Sequence, residues 1–186
     1  MAKRFFIVLL LSAAPLVGAL ADGAGGVTCG FQTASYPFLE RVRVVNNNYG
    51  LSYYGGYGYG VRDHMISGGF GYVITDPTNE SGTVGGFGGV ISGVRILRLP
   101  IQISIVSWTG LGGIYAGVDQ YDRGRGFFCA SEELSLEVGL PVTRWLMPVV
   151  YAGYQVAGNL VPGPAFQAFL SYTPVVGVRL AWGKFY

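Results

Sequence analysis

Charge is scarce in this sequence, and histidine nearly so. Only 12% of its residues are charged, against about 25% in an ordinary soluble domain. So little charge does not suit a water-facing surface. His64 is the one histidine. A zinc site or a Ser-His-Asp arrangement would rest on it alone, so the chain is read as no enzyme, with no metal and no cofactor, and His64 as a polar turn residue. Long apolar runs are missing too. After residue 21 no stretch of eighteen apolar residues is free of interruption; Arg95, Arg98, Gln102, Ser104, Pro148, Gln155 and Asn159 break the best windows. Transmembrane helices are therefore excluded from that part of the chain.

Two cysteines are present, Cys29 and Cys129. In an exported protein they either pair or stay free thiols. Export is expected because "MAKRFFIVLLLSAAPLVGALA" opens the chain. Lys3 and Arg4 precede an apolar run that ends in Ala19-Leu20-Ala21, the plan of a secretory signal peptide cut before Asp22. An uncleaved anchor is the alternative, as is a lipoprotein cut at Cys29, although "AGGVTC" lacks the usual leucine. Cleavage removes two of the 12 basic residues and leaves ten to match the 10 acidic ones. The mature chain is then neutral, which gives no reason to expect nucleic-acid binding.

What the sequence has in abundance is glycine, 31 residues, and 24 Tyr plus Phe (13 and 11). That glycine content disfavours helices. An exported, very apolar chain without helices has one other way to satisfy its backbone in lipid, a closed β-barrel. Alternation supports it. In "YGLSYYGGYGYGVR", Tyr49, Leu51, Tyr53, Tyr57, Tyr59 and Val61 share one face, while Gly50, Ser52, Gly56, Gly58, Gly60 and Arg62 share the other; Tyr54 is the exception. In a barrel the aromatic face is expected against lipid. "IQISI" and "EELSLEVGLPV" alternate as cleanly. A phase slip near Val106 predicts a bulge.

Eight strands are predicted: 38–46, 49–62, 64–75, 83–96, 99–118, 131–140, 145–157 and 165–186. Residues 22–37 are then a periplasmic segment and 38–186 an all-β, transmembrane, antiparallel up-and-down barrel. Short turns at 62–64, 97–99 and 141–144 alternate with longer loops at 76–82, 119–130 and 158–164, the asymmetry of an outer-membrane barrel. "NNN" at 46–48 is too short for its class.

The last strand, "VGVRLAWGKFY", alternates and ends on an aromatic ring. It resembles the C-terminal signal read by the bacterial barrel-assembly machinery. Tyr186 stands at the terminal aromatic position, and Val178, Leu180 and Trp182 at the alternate apolar ones; Lys184 departs from the pattern. Over its mature length the chain resembles the small eight-stranded outer-membrane proteins of the OmpW and OmpA-barrel type. That resemblance implies an outer-membrane location, lipid and the assembly machinery as partners, and a narrow porin-like channel for small solutes, hydrophobic ones included. The alternative is a surface barrel whose loops bind host or matrix components. In a bacterium the sequon "NES" at 79–81 carries little weight.

The remaining candidates are charges on the non-lipid face: Arg41, Arg43, Arg62 and Arg179 against Glu133 and Glu137. Buried charge must pair or reach water. These residues are expected to form a lumen network, either a plug or the lining of a narrow pore, and a stabilising network is the preferred reading. "DQYDRGRGFFCASEE" is read as a loop and a possible contact surface, with Phe127, Phe128, Glu132 and Glu133 in it.

Overall fold

A computed structural model describes residues 22–33, 50–77, 83–98, 100–116, 125–160 and 171–185. They form eight strands: β1 Asp22–Thr33, β2 Gly50–Arg62, β3 Met65–Thr75, β4 Val84–Leu97, β5 Gln102–Ala116, β6 Arg125–Gly139, β7 Leu146–Asn159 and β8 Ser171–Gly183. Each pairs antiparallel with the next, and β1 pairs with β8, so the sheet closes into an up-and-down barrel. The register is staggered. A path across the strands from Thr28 at mid-β1 runs through Gly55, Tyr72, Phe87, Gly112 and Cys129, and reaches Asn159 at the far end of β7. Such stagger is the tilt that closure of eight strands demands.

The first strand differs from expectation. Asp22–Thr33, read from the sequence as a leading periplasmic segment, is β1. Gly23, Gly25, Gly26 and Gly30 give it the composition of a linker. Its alternation is nevertheless complete, with Val27, Cys29 and Phe31 outward and Ala24, Thr28 and Gln32 buried. The predicted strand at 38–46 lies outside the described residues, as do the signal segment and residues 165–170. With β1 at 22–33 the first connection is 34–49, so the "NNN" anomaly disappears. Connections at 34–49, 76–83, 117–124 and 160–170 leave one end of the barrel, and shorter ones at 63–64, 98–101 and 140–145 leave the other. At the tightest, Asp63 takes φ 59°, a left-handed conformation that a short polar side chain tolerates.

Two further expectations need correction. The register shift falls between Arg95 and Leu97, not near Val106. β5 keeps one phase throughout; its inward residues change from Gln102 and Ser104 to Val106 and Trp108, and this change of chemistry mimics a slip. The second correction is larger. Leu51, Tyr53, Tyr57 and Val61 point into the barrel, as do Ile66, Phe70, Tyr72 and Ile74, while Tyr54 points out. Alternation says which residues share a face, not which face is inside. Here the interior is filled with rings: Phe70 lies 4.7 Å from Trp108, Tyr53 5.2 Å from Tyr72 and Phe70 5.4 Å from Tyr72, centroid to centroid. Each such pair adds about 0.5–1.5 kcal/mol to its area burial.

The exterior is that of a membrane barrel. Val27, Leu111, Leu134, Leu136, Val150, Val176 and Val178 are exposed around its girth. Exposed rings lie toward both ends, Phe31, Tyr115 and Phe128 at the one with the long connections and Trp145 and Trp182 at the other, while Tyr54 and Tyr154 are nearer mid-strand. Paired aromatic girdles mark the two membrane interfaces. At 11 to 15 residues the strands meet or exceed the roughly 9–11 needed to cross.

Glycine serves the two faces differently. Inside, a Cβ on Gly112 would run into the Gly86 carbonyl oxygen and lie 2.7 Å from the Phe87 ring. Outside, one on Gly88 would meet only the Phe70 carbonyl oxygen, at 3.5 Å. Gly112→Ala is therefore expected to cost about 1–3 kcal/mol by overpacking. Gly88→Ala should be neutral or stabilising by up to about 1 kcal/mol. Urea unfolding of the two variants checks this; equal effects would mean the interior is not packed as described.

Candidate functional site: an arginine clamp across the lumen

The barrel interior has two unlike walls. β2, β3 and β4 contribute rings and aliphatic chains. β6 contributes Ser131, Glu133, Ser135 and Glu137, flanked by Gln102 and Ser104 of β5 and Gln155 of β7, all buried. Strict alternation on β6 places both glutamates inward, with Ser135 between them.

Arg179 reaches both carboxylates from β8. One guanidinium nitrogen, Nη2, donates to Glu133 Oε1 at 3.0 Å, and Nη1 donates to Glu137 Oε1. All three groups are buried, where attraction is screened far less than in water. The guanidinium carbon also lies 4.0 Å from the Trp108 ring centroid and 3.8 Å from that of Tyr151. The cation is thus held between two aromatic faces, each contact worth about 0.5–2 kcal/mol. Two carboxylates against one guanidinium make the geometry acid-rich.

Hydrogen bonds extend the clamp to the opposite wall. The Tyr53 and Tyr151 hydroxyls bond to each other, and Gln155 Nε2 donates to the Tyr72 hydroxyl at 2.8 Å. Trp108 continues the contact to Phe70 and, at 5.7 Å, to Tyr57. Side chains from β2, β3, β5, β6, β7 and β8 therefore meet across the lumen. Four buried polar atoms in this region, Ser104 Oγ, Trp108 Nε1, Gln155 Oε1 and Arg179 Nε, have no hydrogen-bond partner among the described residues.

Of the charges picked from the sequence, Arg179, Glu133 and Glu137 come together. Arg62 is exposed at the end of β2, away from the clamp, and Arg41 and Arg43 lie outside the described residues. Trp108 and Tyr151 were missed. The available signal was parity: Trp108 shares its phase with Gln102 and Ser104, and Tyr151 with Gln155. The segment read as a loop is in part strand, since β6 begins at Arg125 and carries Phe127, Phe128, Glu132 and Glu133. Cys29 faces outward on β1 and Cys129 inward on β6. They sit on opposite faces of strands that are not neighbours, so both are free thiols. Val178 and Trp182 are exposed on β8 and Leu180 is half-buried; Tyr186 lies outside the described residues. His64 is exposed, and its Nδ1 lies 3.2 Å from the Arg95 carbonyl oxygen. Arg95 itself is buried in β4, at the end of the barrel with short connections.

No family model, curated protein or solved structure matches the chain.

Proposed function

We propose that this chain is a plugged outer-membrane barrel, a non-catalytic anchor that presents its four long connections at one membrane surface for contact with host or matrix components. The observation that carries the reading is the clamp. Arg179, Glu133, Glu137, Trp108 and Tyr151 meet in the lumen, and the bonds of Tyr151 to Tyr53 and of Gln155 to Tyr72 tie them to the opposite wall. A narrow lumen crossed by buried ion pairs and rings conducts only if they separate. Connections on a rigid barrel are the usual place for binding.

A second reading keeps the narrow channel for small solutes. Its specific support is the polar wall from Gln102 through Glu137 and Glu133 to Gln155, with polar atoms there that have no hydrogen-bond partner among the described residues. The clamp would then be a gate.

Recording from the refolded protein in a planar bilayer separates the two. The anchor reading predicts a silent wild type, and conductance steps after Glu133→Gln with Glu137→Gln, once the arginine loses both charged partners. Steps from the wild type would overturn it in favour of the channel.

A further inference from the structure

Among the described residues the outer wall carries a polar patch that runs from the outward serines Ser67 and Ser92 to an acidic cluster at mid-strand. Glu132 and Thr109 are the central residues of β6 and β5, each strand 15 residues long. They are register partners, and both point outward. Ser107 Oγ donates to Glu132 Oε1 at 3.2 Å and lies 3.4 Å from Thr109 Oγ1. Leu111, Leu134 and Leu136 surround the cluster, all exposed. The girdle rings Tyr115 and Phe128 lie toward one end of these strands and Trp145 toward the other. The carboxylate therefore sits at mid-strand, four residues from Phe128, among the apolar side chains of the outer wall. Lipid tails offer it no hydrogen bond, and an ionisable group at that depth is costly. The lumen clamp makes no use of it.

We propose that this face binds a second copy of the same chain, side by side in the membrane. Two copies inserted in the same sense are related by a twofold axis along the membrane normal. When that axis runs beside the β5–β6 boundary, β6 of each copy faces β5 of the other at equal depth. Glu132 of one copy then meets Thr109 of the other, a carboxylate opposite a hydroxyl donor, with Ser107 able to pass its proton from one carboxylate to the other, and the match occurs twice. The chemistry is self-complementary across one adjacent strand pair, so no other partner is needed to satisfy it. Hydrogen bonds between membrane segments of this kind hold association together.

Sedimentation equilibrium in density-matched detergent micelles is the test. The wild type should form a dimer that dissociates on dilution. Glu132→Gln keeps an acceptor and should dimerise within a few-fold of the wild type. Glu132→Leu should weaken the dimer about tenfold or more, and Ser107→Ala with Thr109→Val should weaken it similarly. Heat-modifiable migration on a cold detergent gel establishes that each variant is a closed barrel. A wild type that stays monomeric at every concentration would overturn the proposal and leave another membrane protein as the occupant. So would a Glu132→Leu dimer as tight as the wild type.

Discussion

Replacing Arg179 by methionine is expected to destabilise the barrel by about 3–5 kcal/mol, the usual consequence of removing one partner from a buried ion pair. The substitution keeps an unbranched apolar side chain, so lost volume contributes little. What it leaves is Glu133 and Glu137 in the lumen without their cation. It also removes the two ring contacts with Trp108 and Tyr151. The diagnostic step is the compensated variant. Arg179→Met combined with Glu133→Gln and Glu137→Gln removes the stranded charge and should recover most of the loss, because neutral replacement of a whole buried ionic set is often tolerated. Urea unfolding of the wild type, the single and the triple variant in detergent gives the comparison. A single variant as stable as the wild type, or a triple variant no better than the single, would mean the clamp does not hold the lumen.

Much of this architecture was legible in the sequence because membrane barrels write it in period two. "EELSLEVGLPV" placed Glu133 and Glu137 on one face and Leu134 and Leu136 on the other, and the structure puts the first pair inside and the second outside. The same rule gave the wrong side for β2. Tyr53 and Tyr57 are the apolar phase of their strand, but the lumen at that wall is filled with rings, so apolar residues belong inside. Gly56 and Gly58, the outward neighbours of Tyr57, carry no signal of either kind, and Tyr54 beside Tyr53 blurs the contrast further. β1 was lost for a related reason: its glycines hide an intact alternation. The clamp was half legible. Charge scarcity made Arg179 and the two glutamates stand out. The rings that sandwich the guanidinium come from β5 and β7, and their approach depends on the stagger between strands, which no single strand records. Glu132 was visible only as part of a polar segment. Its mid-strand position follows from a strand start at Arg125, six residues before the one the pattern suggested.

The three tryptophans test the central claim, a membrane barrel with apolar residues on both faces of its wall. Trp108 is 2% exposed and points into the lumen, whereas Trp145 and Trp182 are 58% and 42% exposed on the outer wall at one girdle. Hydropathy does not tell them apart; only the side of the wall does. Variants that keep one tryptophan each, with phenylalanine at the other two positions, can be folded into vesicles whose acyl chains carry bromine, a contact quencher of indole emission. The account predicts strong quenching of Trp182 and Trp145 and little of Trp108, whose emission should stay blue-shifted in its buried ring cluster. A lipid-quenched Trp108 with an unquenched Trp182 would contradict it.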